Sequence, residues 1–144
     1  MSFKAKGLDH VAIAVKDLDA GVAFYRDVLR LKLAELEEVP EQEVRTAIFG
    51  EGLGRVELIC PTTEGSGLAK FLQKRGEGLH HICLEVDDLE AALAELRSQG
   101  TPLIDDAPKP GAGGARVAFI HPKGAHGVLV ELREGPKGMP RHSR

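Results

Sequence analysis

Residues 9–15 alternate strictly, with Val11, Ile13 and Val15 on one parity and His10, Ala12 and Ala14 on the other. A period of two predicts a strand with one packed face and one lining a different environment. The period then lengthens. Leu18, Val22, Tyr25 and Leu29 recur at helical spacing, which predicts a helix over 18–29 with Asp17 as its N-cap. Strand-like segments come next at 31–38, 44–50 and 55–60, and Gly52 and Gly54 mark the turn between the last two.

The succession then repeats. DHVAIAVKDLDA (9–20) aligns without a gap on HHICLEVDDLEA (80–91), and His10 falls on His81. Leu89, Leu93 and Leu96 predict a second helix over 89–98, capped by Asp88 and stopped by Gly100. Strands are expected at 102–105, 116–121 and 127–133. Between the halves, Leu68, Phe71 and Leu72 give 66–75 the apolar side of a short helix that Gly76 can end. Each half thus reads βαβββ, and such a unit is too small to cover both faces of its own sheet. The predicted class is α+β: two βαβββ modules, at 8–62 and 79–134, related by a pseudo-two-fold, joined by the 66–76 helix and enclosing an open-barrel cleft within a single domain spanning 1–144.

Chemistry enters at the positions that break the apolar pattern. His10 and His81 lie on the cavity parity of their strands, and RVELIC and VLVELR place Glu57 and Glu131 at matching points of the final strands. A carboxylate inside an apolar strand is costly to bury unless it is paired or bound to a cation. One strand histidine by itself is usually a hydrogen-bonded core residue, and one strand glutamate usually lies at a solvated edge. Four such residues at matched places of a duplication instead predict one divalent metal held by His10, Glu57, His81 and Glu131. Two imidazoles and two carboxylates suit Co, Mn, Fe, Ni or Zn better than calcium. His80 has the opposite parity and is left out, and His121 and His126 flank a Gly/Pro-rich loop as surface residues.

Composition narrows the classes. Nineteen basic against twenty-two acidic residues give a net charge of −3, which carries no electrostatic footprint for nucleic acid or an anionic membrane. No apolar run reaches the ~20 residues of a membrane span, and MSFKAKGLDH lacks the apolar core of a secretory signal. Cys60 and Cys83 sit in apolar runs without a CxxC, so a reduced, cytoplasmic setting is expected. No dinucleotide fingerprint or phosphate loop occurs. The stretch GPKGMPRHSR (135–144), with His142, has no periodicity and reads as frayed.

The stretches DHVAIAVKDLDAGVAFYRDVL, VPEQEVRTAIF, GEGLHHI, PGAGG, HPK and GVLVEL together resemble the methylmalonyl-CoA epimerase family of the vicinal oxygen chelate superfamily, over 9–131. The resemblance implies an isomerase of propionate metabolism that interconverts (R)- and (S)-methylmalonyl-CoA through a metal-stabilised enolate. It implies an acyl-CoA substrate, a homodimer, and cobalt as the metal ahead of Mn, Ni, Zn or Fe. It also gives Glu131 a second task as proton-transfer carboxylate. The alternatives are a glyoxalase I-type isomerase, an extradiol dioxygenase, for which Glu57 would be surplus, and a metal-free binding module. Two positions depart from the family. Glu43 stands where many members have Gly, and Thr46 stands where the bacterial form has a second catalytic Glu, so Glu41 and Glu43 become the candidates for that role. Lys70, Lys74, Arg75 and Lys123 are the candidate partners of the CoA phosphates.

Overall fold

The structure, a computed structural model, describes residues 2–136. The 135–144 stretch read as frayed, with His142, therefore lies almost wholly outside the described residues. The elements run in the order β1 (Ala5–Ala14), α1 (Leu18–Ala23), β2 (Leu33–Val39), β3 (Val44–Phe49), β4 (Arg55–Pro61), α2 (Gly67–Arg75), β5 (Gly78–Val86), α3 (Leu89–Ser98), β6 (Lys109–Pro110), β7 (Arg116–Ile120) and β8 (Val130–Glu134). Asp17, Ser66 and Asp88 each accept a hydrogen bond from the backbone N–H three residues on, so the three α-helices of the described residues begin at a side-chain cap. Gly76 ends α2 at φ +78°, a conformation that a Cβ would oppose. No helix among the described residues is long and apolar enough to cross a membrane.

The eight strands of the described residues join one curled mixed sheet in the order β2-β3-β4-β1-β5-β8-β7-β6. The order reads as two matched halves meeting at an antiparallel β1–β5 seam. In each half the first strand runs parallel to the last, β1 with β4 and β5 with β8. This is the duplication seen in the sequence, now in hydrogen bonds.

The outer face of each half is covered by its own helix. Leu18 and Val22 of α1 pack on Val15, Ala47, Phe49 and Leu58. Leu89, Ala92 and Leu93 of α3 pack on Val86, Ala118, Val130 and Leu132. A helix of ten residues does not persist alone in water. Burial of Leu89 and Leu93, each at most 1% exposed, stabilises it by about 1.5–3 kcal/mol per side chain. The linking helix α2 works on the inner face. Its Leu68 and Leu72 lie against Ala12, Ala14, Val39, Val44 and Ile59.

Two elements differ from the sequence expectation. The 18–29 helix is α-helical only to Ala23, and Phe24–Val28 is a π-turn in which the Leu29 N–H donates to the Phe24 carbonyl. The wider turn rotates Leu29 out of the buried stripe, leaving it half exposed. The 102–105 segment is no strand. Leu103 makes one isolated bridge to Ile120, and the edge of the sheet is instead the two-residue β6 at Lys109–Pro110.

Candidate metal centre

The seam brings the matched residues together. Glu57 on β4 pairs with Ala12, two residues after His10, and Glu131 on β8 pairs with Cys83, two residues after His81. The two His–Glu sets thus occupy equivalent registers on either side of the β1–β5 seam. Side-chain donor atoms of His10, His81 and Glu131 all lie within 4.8 Å of one another. His10 Nε2 is 3.0 Å from Glu57 Oε1 and 3.5 Å from Glu131 Oε1, and His81 Nε2 is 3.0 Å from the same Glu131 oxygen. All four residues are buried. The three-residue group is tight, and Glu57 joins it through His10.

The donor arrangement fits a cation. His10 Nδ1–H donates to Asp9 Oδ2 at 2.7 Å, which fixes the tautomer and turns Nε2 toward the carboxylates. That buried Nε2 makes no well-formed hydrogen bond. An unprotonated nitrogen and a carboxylate oxygen repel at 3.0 Å, so positive charge must stand between them, as a proton or as a metal ion. The electrostatics agree. Burial works against an imidazolium at His10, but contacts with Asp9, Cys83, Glu131 and Glu57 outweigh it and hold the pKa far above the ordinary imidazole value. Burial likewise opposes ionisation of Glu131, yet hydrogen bonds from His10 and His81 keep it well below the usual carboxylate range. Three carboxylates around two imidazoles form a negative pocket that a divalent ion would neutralise. A carboxylate behind a ligating imidazole is the common support of such sites.

His81 is backed differently. Its Nδ1 lies 2.9 Å from Nδ1 of His80, whose ring stands edge-on to Phe71. Burial, with the neighbouring His81, pushes the His80 pKa down to about 4, so His80 is neutral at neutral pH.

The four residues border a cavity of about 390 Å³ between the halves, also lined by Val44, Thr46, Ile59, Leu68, Lys109, Phe119 and Arg133. Thr46 is buried there with its hydroxyl donating to the Glu37 carbonyl. Glu41 lines the cavity, whereas Glu43 lies outside the lining and accepts a hydrogen bond from the Thr63 hydroxyl. Glu43 sits at φ +56°, ψ +43°, the left-handed region that favours Gly. His121 instead accepts from the Lys123 N–H and caps a single turn, and His126 is exposed at φ +58°. Sequence reasoning missed Asp9, although it adjoins His10, because its partner is visible only in three dimensions. It also missed the buried pair in which Arg133 Nη1 donates to Glu85 Oε1 at 2.6 Å. Strand parity places Glu85 on the cavity face, but its partner lies 48 residues away.

The pattern of the Glyoxalase/Bleomycin resistance protein/Dioxygenase superfamily matches residues 9–119. A mitochondrial methylmalonyl-CoA epimerase of Mus musculus is 41% identical over 133 residues, 92% of this chain and 75% of the relative. An ethylmalonyl-CoA/methylmalonyl-CoA epimerase of Cereibacter sphaeroides is 41% identical, covering 88% of this chain and 96% of its own. A solved methylmalonyl-CoA epimerase in complex with methylmalonyl-CoA and NH4+ superposes with a TM-score of 0.88 at 38% identity, over 93% of this chain and 97% of its own.

Proposed function

Because the chain belongs to the Glyoxalase/Bleomycin resistance protein/Dioxygenase superfamily, and within it to the methylmalonyl-CoA epimerases, we propose that it interconverts the two C2 epimers of methylmalonyl-CoA with a divalent metal held by His10, Glu57, His81 and Glu131. The observation that carries the site is the convergence of His10, His81 and Glu131 donor atoms within 4.8 Å, beside a cavity large enough for the acyl group. A divalent ion there would supply Lewis acidity, drawing charge from the two carbonyl-type oxygens that flank C2 and so acidifying its hydrogen.

The protein's own part is proton transfer. Both imidazole contacts of Glu131 fall on Oε1, so Oε2 is the oxygen proposed to take the C2 proton. The C–H electron pair then spreads over the thioester and carboxylate, and a planar C2 can be reprotonated on either face. Ionisation of Glu131 at neutral pH is secured by His10 and His81. Inversion needs an acid on the opposite face. Thr46 cannot serve at neutral pH. Of the two loop carboxylates, Glu41 lines the cavity and Glu43 does not, so Glu41 is the better-placed donor. Apolar walls from Val44, Ile59, Leu68 and Phe119 limit water around the carbanion-like C2. We further assign the chain a homodimeric state.

Deuterium uptake at C2 in heavy water tests the reading. Metal-loaded protein is expected to exchange that hydrogen with no net redox change, and removal of the metal is expected to stop the exchange. Efficient isomerisation of a glutathione hemithioacetal, without uptake into methylmalonyl-CoA, would overturn it.

A further inference from the structure

At one pair of matched positions in the reaction cavity the two halves differ in kind. Ile59 and Arg133 follow Glu57 and Glu131 by two residues, on the same face of their strands, and both line the cavity. The first half offers an aliphatic side chain there and the second a guanidinium. That guanidinium is dry and only partly satisfied. The Arg133 side chain is 4% exposed. Glu85 accepts one of its five N–H groups, from Nη1 at 2.6 Å, and Nε is buried without a hydrogen-bond partner among the described residues. A buried N–H that meets neither protein nor water is costly, so this group calls for an acceptor. The proton transfer assigned to Glu131 makes no use of it.

The other cations are less well placed. Lys109 lies across Val117 from Arg133. Its ammonium is 3.3 Å from Asp105 Oδ1 and its side chain is 35% exposed, so it is already paired and partly screened. Lys70, Lys74 and Arg75 line a separate groove that meets the cavity at the His80 wall, and Lys123 lines neither.

We infer that Arg133 reads the carboxylate carried by C2 of the substrate, and that Glu85 is the positioning residue that holds the guanidinium in the cavity wall. The inference rests on the epimerase reading. The spacing suits it. Two residues of strand put Arg133 about 7 Å from Glu131 along β8, and the carboxylate is bonded directly to the carbon whose proton Glu131 is proposed to take. A planar guanidinium matches a carboxylate and makes charge-assisted hydrogen bonds to it, where an ammonium acts as a point charge. On the opposite wall Ile59 offers carbon surface to the C2 alkyl group. With the carboxylate anchored, C2 can exchange its hydrogen on either face while the substrate keeps one orientation. A cation beside the carboxylate also offsets the enolate charge that develops next to it.

Malonyl-CoA and acetyl-CoA differ by this carboxylate alone, so calorimetric titration of the metal-loaded protein with each is the test. The wild type is expected to bind malonyl-CoA the more tightly. Arg133→Gln is expected to weaken malonyl-CoA binding about tenfold or more, the scale of a lost charge-assisted contact, and to leave acetyl-CoA within about twofold. Arg133→Lys, which keeps the charge without the fork, is expected to recover part of the loss. Glu85→Gln/Arg133→Gln leaves no buried charge unpaired, guards against misfolding of the single variant, and is expected to show the same selective loss. Metal content is measured for every variant and is expected to match the wild type. Equal losses on both esters, an unchanged malonyl-CoA affinity, a wild type without preference, or a loss that follows metal content would overturn the assignment. A wild type that binds neither ester would refute the acyl-CoA reading instead.

Discussion

The two halves of the sheet offer the same pair of candidate ligands, one His and one Glu each, and support them by different means. His10 with Glu57 and His81 with Glu131 occupy equivalent registers. Behind His10 stands the carboxylate of Asp9, and behind His81 the neutral ring of His80. On the cavity face the first half continues with Ala14 and Ile59. The aligned positions in the second half are Glu85 and Arg133, joined in a buried ion pair. Duplication thus kept the paired His and Glu of the proposed metal site in matching registers, while the residues around them differ. A cleft with one apolar and one charged wall can hold an asymmetric substrate in a single orientation, which two identical halves could not do.

The largest expected effect falls on the charged wall. Glu85→Ala leaves the Arg133 guanidinium buried without its partner, and urea denaturation is expected to show a loss of about 3–5 kcal/mol. Glu85→Leu/Arg133→Leu, which makes this half resemble the other, is expected to recover most of it. A loss under about 1 kcal/mol for Glu85→Ala would mean that the two walls are equally solvated.

Next comes the division of labour between the two glutamates. Glu131→Gln is expected to retain metal and lower turnover about 10²-fold or more, the scale of a general base. Glu57→Gln, its counterpart, is expected to lose far less. Equal losses with metal retained would make both carboxylates mere ligands and turn attention to Glu41, so metal content is measured beside each rate.

The supports behind the imidazoles differ in charge. Asp9→Asn is expected to weaken metal affinity about 10–100-fold in a chelator-competition titration, the usual effect of removing such a carboxylate. His80→Asn is expected to weaken it less, because a neutral group adds no charge to its ligand. The reverse ranking would contradict the roles drawn from the two contacts.

The smallest effect concerns matching turns. The turn between β6 and β7 reaches positive φ with Gly113 and Gly114, at +70° and +74°, whereas that between β2 and β3 uses Glu43 at +56°. Glu43→Gly relieves left-handed strain but loses the Thr63 hydrogen bond and adds unfolded-chain freedom. Thermal unfolding is expected to shift stability by no more than about 1 kcal/mol, on the stabilising side.

Legible in the sequence was whatever repeats or alternates. Parity placed His10, Glu57, His81 and Glu131 on one side, and the helices at 66–75 and 89–98 were found to within a residue because capping side chains mark their starts. The 102–105 segment failed because a two-residue edge strand is too short to show a period, and its pairing to β7 is set by the fold. The π-turn after Ala23 failed because an extra residue in a turn leaves the helical spacing of Leu18, Val22 and Tyr25 intact and displaces only the residues beyond it. The Glu85–Arg133 pair and the grooves on either side of His80 depend on which strands become neighbours, and no local pattern encodes that.

The strand order has a consequence for how the molecule breathes. The four matched residues lie on β4, β1, β5 and β8, the central strands, while β2 and β6 form the rims. Native-state amide exchange should therefore be graded from rim to seam, because edge strands open by local fluctuations that cost little free energy. The two-residue β6 and its flanking loop can open and close while the ligand-bearing strands stay protected up to the global unfolding limit. On the function proposed above, an acyl-CoA would be admitted and released by the periphery of this sheet without loosening the seam that carries His10 and His81.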